Sequence, residues 1–272
     1  MKSFLAIAVT VLACLSAGYS NGLHDANAGT ARSIVTSDTI LSTMIVSLLP
    51  PGRYSVEAIL PPGQCPGQYD VKLSDIERMK KANLVVSFKG MPYMDKAVPA
   101  HGAQLLIETN GRNWMAPESY IYGLGLLADR LSEAFPEDRD RIMRRKADAV
   151  GVVRLQAGLL KEKVERAGLS GKPAIVSSMQ KEPIEWMGFR IVAEYGRPEA
   201  MSAREVVRLS GIGRDRRAIL VVDNLQSGPD AGKGVAEALG APHVTLTNFP
   251  SEKGYLATLG ENVDAVLAAV RK

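Results

Sequence analysis

The stretch Leu60–Val86, LPPGQCPGQYDVKLSDIERMKKANLVV, decides how the rest of the chain is read. It starts at the end of an apolar run, YSVEAIL, and passes through a Pro/Gly loop. It then enters DIERMKKA, a helical segment in which Ser74 and Glu77 stand at capping-box separation. It leaves through NLVVSF, a β-branched run that reads as a strand. Strand, loop, helix and strand form a βαβ unit, and repeated units of this kind build a parallel sheet. The loop also carries Cys65, the only cysteine outside the N-terminal leader.

The same pattern extends in both directions. Upstream, SIVTSD is a short strand with a polar turn, and TILSTMIVSLL has helical spacing up to Pro50–Pro51–Gly52. Downstream, HGAQLLIET reads as a fourth strand and Glu118–Phe135 as an amphipathic helix. A new helix opens at Pro136–Glu137–Asp138 and meets no further proline before Ala167. At 1.5 Å per residue, roughly thirty residues make about 45 Å, more than one sheet layer needs. After it the pattern restarts. AIVSSM reads as a strand, PIEWMGFRIVAEYG as a helix ended by Gly196, and GIGRDRR as a basic turn. AILVVDN is a strand, GPDAGKGVAEALG a helix, VTLTNF a strand and YLATLGENVDAVLAAVRK a final helix.

The expected fold class is therefore α/β. Two similar lobes with mainly parallel sheets, residues 32–135 and 169–272, are joined by one long spanning helix, residues 136–168, with a ligand cleft between the lobes. Ligands of such sheets lie at the C-terminal ends of the strands. Here those ends are the loops after Asp38, Leu60 and Phe88, around Thr109–Met115 and Met179, after Val222 and around Asn248.

Residues 1–18 have a positive start at Lys2 and an apolar run from Phe4 to Leu12, the pattern of an export signal. The tetrapeptide VLAC resembles a lipobox, which would leave Cys14 as a lipid anchor to the membrane. Ordinary cleavage near Ser16–Gly18 is the alternative. Residues 19–31 then read as a tether. Export places the protein in the periplasm or on the outer face of the cell membrane. With Cys14 spent on the anchor, Cys65 has no intrachain disulfide partner. The formal charge of +4 is mild, and basic residues are mixed with acidic ones without interleaved aromatics, so no nucleic-acid partner is expected. The chain has no G-x-S-x-G, H-E-x-x-H, Walker or C-x-x-C motif. No catalytic residue and no cofactor is expected.

The order of these segments resembles the extracytoplasmic solute-binding proteins of zinc and manganese ABC importers, a TroA-like fold. The resemblance rests on Gly63, Pro66, Tyr69 and Ser74–Asp75 in the opening stretch and on the FKG turn at 88–90. It extends through NWMAPESYIYGLGLLADRL, EWMGFRIVAEYG and the last helix with Asn262. It implies a binding subunit that delivers its solute to an ABC permease. In that family three histidines and a carboxylate hold the metal. Here their places fall on or near Gly67, Arg112, Glu185 and Asn248. The three histidines of this chain, His24, His101 and His243, match none of them. The frame is kept and the family's metal ligands are not.

Three readings stay open at this level. In the first, the cleft captures a small polar or anionic solute or a metal chelate. Arg112 would clamp an oxyanion, and Ser37 and Asn248 would add neutral hydrogen bonds. Trp114 and Trp186 would flank the ligand or simply pack. In the second, Cys65 with Met91 and Met115 binds a soft metal, copper or zinc, with Met94, Met179 and Met187 nearby in sequence. The same methionines also suit irregular apolar packing. In the third, Arg112 and Glu185 bridge and fill the old metal hole, leaving a surface interaction protein without a solute. Asp223, at the end of the most apolar strand, would cap a turn or line the cleft.

Overall fold

The computed structural model describes residues 31–97 and 103–271. The leader with Cys14, the tether up to residue 30, and His24 and His101 lie outside the described residues.

The N-terminal half runs β1 (Arg32–Thr36), α1 (Thr39–Leu48), β2 (Tyr54–Ala58), α2 (Leu73–Lys81), β3 (Leu84–Phe88), α3 (Pro92–Ala97), β4 (Gln104–Ile107) and α4 (Pro117–Ala134). A short 3-10 turn at Pro136–Asp138 leads into α5 (Arg139–Arg166). The C-terminal half runs β5 (Pro173–Ser177), α6 (Lys181–Trp186), β6 (Arg190–Tyr195), α7 (Ala203–Arg216), β7 (Leu220–Asn224), α8 (Lys233–Leu239), β8 (His243–Leu246) and α9 (Tyr255–Val270). The two sheets have the orders β2-β1-β3-β4 and β6-β5-β7-β8, and all neighbouring strands in them run parallel. The lobes are thus two copies of one topology. Central β3 and β7 are buried along their whole length, as strands covered on both faces must be.

Local chemistry sets the element ends. Asp38 caps α1, its Oδ1 accepting from Ile40 N at 3.0 Å and Leu41 N at 3.1 Å. Pro50 and Pro51 follow its C-terminus and cannot continue it. The α2 cap is not the expected Ser74/Glu77 pair. The helix begins at Leu73, so the third helical residue is Asp75, whose carboxylate accepts from Lys72 N at 2.9 Å. Asp75 also accepts from Tyr69 OH at 2.8 Å and Arg78 Nη2 at 2.7 Å, which pins the Pro/Gly loop to the helix it precedes.

Two further expectations are corrected. PIEWMGFRIVAEYG is not one helix. The helix α6 stops at Trp186, Gly188 at φ 92° reverses the chain, and Arg190–Tyr195 forms β6 on the sheet edge. A side chain is strained at that φ, so the glycine makes the turn. GIGRDRR is not a turn but the end of α7, terminated by Arg217 in the left-handed region at φ 55°.

The long helix α5 has 28 residues, or about 42 Å. It packs on α4 and α1 of the first lobe and on α9 of the second. Its buried residues Ile142, Val153, Ala157 and Val164 belong to a single apolar cluster that also holds Ile34 and Leu124 from the first lobe and Val222 and Leu259 from the second. The lobes share a core behind the cleft. Smaller clusters, around Val85 and Met94 in one lobe and Val221 and Leu209 in the other, fill the outer face of each sheet.

Candidate functional site

In each sheet the chain leaves the first strand on one side and the third on the other. The switch points therefore lie between the C-terminal ends of β1 and β3 and between those of β5 and β7. Crevices open at such points. The two sheets place them face to face, and a cavity of about 350 Å³ lies there. Ile40, Phe88, Met91 and Trp114 wall it from the first lobe, and Phe249 from the second. Its polar lining is Thr109, Arg112 and Asn113 on one side and Ser178, Met179 and Asn248 on the other. A wider concavity of about 690 Å³ runs along the seam beside it, past Thr43, Lys72, Arg78 and Ser251–Gly254. Two of its three cations are spent within the protein, Arg78 on Asp75 and Glu57 and Lys253 on Glu261, while Lys72 makes no salt bridge among the described residues. The strand-end cavity is the better site.

Arg112 reaches the cavity because of the loop after β4. That loop turns through Asn110 at φ 52° and Gly111 at φ 72°, two left-handed residues in succession that asparagine and glycine tolerate. The Arg112 guanidinium lies over the Tyr122 ring at 4.6 Å and is exposed. Among the described residues it makes no salt bridge, and Glu185 stands exposed on α6 without pairing to it.

A network of neutral groups joins the lobes behind Arg112. Asn113 Nδ2 donates to Met179 O at 2.6 Å and to Asn248 Oδ1 at 3.0 Å. Asn248 Oδ1 also accepts from Gln180 Nε2 at 2.9 Å, and Asn248 Nδ2 donates to Met179 O at 2.9 Å. Asn113 Oδ1 accepts from Met115 N at 2.9 Å. Gln226 Oε1 accepts from Asn248 N at 3.1 Å, while its Nε2 donates to Pro62 O at 2.9 Å across the seam. One carboxylate takes part. Glu182, on α6, accepts from Asn113 N at 2.5 Å and from Ser119 Oγ. Ser119 is in the first turn of α4, whose own cap residue is Ala116 and supplies no side-chain bond. The opposite lobe thus places a carboxylate beside the N-terminal end of α4, where the helix dipole favours it.

The other expected residues fall as follows. Ser37 is fully buried and satisfied within its lobe, Oγ donating to Asp38 Oδ2 at 2.7 Å and its carbonyl accepting from Tyr93 OH at 2.5 Å. Burial pushes the Asp38 carboxyl up to about 6, against the lowering effect of its Ser37, Leu41 and Ile40 bonds. Met91 lines the cavity, Met179 is exposed at its edge, and Met94, Met115 and Met187 are core residues. Cys65 is half-buried in the Pro/Gly loop and is not among the cavity residues. A Cβ on Gly67 would lie 3.8 Å from Cys65 Sγ and 3.5 Å from Arg197 Nη1, so a guanidinium from the second lobe stands beside this glycine. The structure does not bring Cys65, Met91 and Met115 together. Among the described residues, no three His, Cys, Asp or Glu side chains are grouped to hold a metal. Trp186 is buried in the second lobe. Asp223 caps the turn after β7, accepting from Gly232 N at 2.9 Å and Tyr195 OH at 2.7 Å, with His243 Nε2 at 2.6 Å.

Sequence reasoning missed Asn113, Gln180 and Glu182. Asn113 and Gln180 each sit beside a residue already singled out, at a strand end, and that position was the available signal. Glu182 was hidden because the helix was drawn from Pro183, whereas α6 begins at Lys181.

The comparisons with known proteins agree with this architecture. No curated protein sequence matches the chain significantly. Among solved structures, a Mn-bound periplasmic metal binding protein from Candidatus Liberibacter asiaticus superposes with TM-score 0.75 at 14% identity, covering 88% of this chain and 99% of that one. A ZnuA crystal structure gives 0.72 at 16% identity, with 88% and 99% covered. The laminin binding protein Lmb of Streptococcus agalactiae, described as bifunctional with adhesin and metal transporting activity, gives 0.71 at 15%, with 88% and 100% covered. At these identities the likeness is one of fold. The family model described as "ZnuA: Zinc-uptake complex component A periplasmic" matches residues 34–269. The chain belongs to that family, with its two-lobed TroA-like fold and, among the described residues, without a histidine or carboxylate lining the strand-end cavity.

Proposed function

We propose that this protein is the extracytoplasmic solute-binding subunit of an ABC-type importer and captures a small solute in the strand-end cavity between its lobes. It binds and releases; it makes and breaks no bond. One observation carries the reading: the switch points of both sheets open onto one cavity to which both lobes contribute. The solute contacts would be Arg112, Asn248 and Met91, with Asn113 and Met179 completing the wall. Cys65, Ser37, Met115 and Glu185 would lie outside it. The partner is an ABC permease that receives the solute from the cleft. Residues 1–18 direct export, after which the domain is either anchored at the membrane through Cys14 or, on cleavage near Ser16–Gly18, released into the periplasm.

Native mass spectrometry of freshly purified protein tests this. A bound small molecule is expected, lost on denaturation and lost from the R112A/N248A double variant. An adduct retained unchanged by that variant would place the solute elsewhere. Protein that carries nothing, and takes up nothing from a concentrated extract of its native medium, would favour the surface interaction reading, for which the interlobe bonds of Asn113, Gln226 and Glu182 would suffice to keep the cleft shut.

A further inference from the structure

We infer that the solute is a monoanion, a carboxylate on a compact apolar body, and that Arg112 and Asn248 read its oxygens. The inference rests on the proposed site and follows from counting which hydrogen-bonding capacity the protein has already used. A carbonyl or amide oxygen accepts two hydrogen bonds, an amide nitrogen donates two, and a guanidinium donates five.

Most acceptors around the cavity are occupied; the exception is Gln180 Oε1, which is buried behind the lining without a partner. Met179 O takes Asn113 Nδ2 and Asn248 Nδ2. Asn248 Oδ1 takes Asn113 Nδ2 and Gln180 Nε2. Asn113 Oδ1 is turned inward onto Met115 N. Donors remain unspent. The Arg112 side chain has no protein acceptor among the described residues and is held only by its stacking on Tyr122. One N–H of Asn248 is unused. Trp114 Nε1, in the wall, is a further buried donor with no partner, closed off in this conformation. Thr109 and Ser178 carry hydroxyls that serve either role. No carboxylate or imidazole lines the cavity to answer a cation.

A surplus of donors and one positive charge select an acceptor-rich anion. A bare metal ion needs anionic or imidazole lone pairs, which the described lining does not offer, and it would sit beside a guanidinium. An ammonium ligand meets the same two obstacles. A phosphate dianion would bring a second negative charge that one arginine leaves unbalanced against Ile40, Phe88, Met91 and Phe249. A planar carboxylate matches the guanidinium fork. The cavity volume of about 350 Å³ is small for a binding site, so the apolar body is short. A carboxylate-rich metal chelate offers the same oxygens, and the test separates it from the free acid.

The experiment is isothermal titration of the intact exported chain with straight-chain C4–C10 and arylacetic monocarboxylates, each beside its amide and its ammonium counterpart. Inorganic phosphate, ZnCl₂ and MnCl₂ are titrated in parallel. The carboxylates should bind at least ~10-fold more tightly than their matched partners, since a hydrogen bond to a charged group is worth more than a neutral one. R112Q, at an exposed position where folding is not at stake, should erase that preference. N248D, which replaces a donor with a negative acceptor, should weaken carboxylates ~10-fold or more. Binding that survives EDTA belongs to the free acid, whereas binding restored only with metal assigns the chelate and overturns the free monoanion. Ammonium or neutral partners that bind as well as the acids, or acids that bind R112Q unchanged, overturn the inference and leave the solute-binding function standing. Native mass spectrometry that finds no solute at all overturns the function itself.

Discussion

Glu182 is the single side chain whose removal should loosen the two lobes most. Its carboxylate reaches the start of α4 from the other lobe, accepting from Asn113 N at 2.5 Å and from the fully buried Ser119 Oγ. In E182A both donors lose their acceptor, and α4 loses the negative charge at its N-terminus. A hydrogen bond to a charged group is worth about 1.5–3 kcal/mol, and a charge at a helix terminus adds about 0.3–1 kcal/mol. Glu182 is only half-buried, so water replaces part of the loss and the lower end applies. We expect a total of about 2–4 kcal/mol. For a chain of this size each kcal/mol moves Tm by about 2–4 °C, which predicts a fall of roughly 5–15 °C. E182Q keeps one acceptor and should cost about half as much. Calorimetry measures the change, and hydrogen exchange locates it. Faster exchange should appear in residues 113–121 and in α6, with the outer face of each sheet unaffected. A Tm within about 2 °C of the parent, together with unchanged exchange at the start of α4, would show that the carboxylate is not part of the joint.

Other outcomes follow from single residues. Burial raises the Asp38 carboxyl from its ordinary value to about 6, so the folded state holds that proton more tightly than the unfolded chain. Its contribution favours folding at low pH and is lost as pH rises through about 6. D38N, which can still cap α1, should remove about 3 kcal/mol of that slope between pH 4 and 7, read from Tm against pH. The fully buried Asp138 accepts from Arg53 Nη1 at 2.8 Å, Tyr54 OH at 2.8 Å and Arg141 Nη1 at 3.2 Å, so D138A should cost roughly 3–5 kcal/mol in chemical denaturation. A Cβ on Gly123 would stand 2.8 Å from Met44 and from the Trp114 ring, so G123A should destabilise by about 1–3 kcal/mol and disturb the cavity wall, visible as changed tryptophan fluorescence. Because α5 and the shared core cross both lobes, solution scattering with and without solute should report a small closure; a lobe rotation beyond about 20° would require the core residues Ile34, Val153 and Val222 to separate.

The residues alone established the class of fold. Runs such as NLVVSF and AILVVDN alternate with helical segments, and the period of apolar residues is a local property that needs no partner to be seen. The opening stretch was enough to show that sheets would be parallel, because a strand that returns through a helix must run the same way. The length of α5 was legible in the same way, from the absence of proline between Pro136 and Pro173. Boundaries set by a single glycine were not. Gly151 and Gly158 lie inside a helix, whereas Gly188 reverses the chain, and composition does not separate the two cases. That ambiguity merged α6 with β6.

The chemistry of the site was decided only by tertiary structure. That the three histidines of this chain match none of the family's ligand places was an expectation from the resemblance, and it did not show what lines the cavity. Asn113, Asn248 and Gln180 come from three loops far apart in the chain, and only the facing of two sheets makes them partners. Whether an amide is a free contact or a spent one depends on what it meets in space, and the same holds for the Arg112 guanidinium, which found an aromatic face and no acid. Local periodicity fixes elements because it acts between neighbours in sequence. Hydrogen-bond satisfaction acts between neighbours in space, and it is what leaves donors facing the cavity.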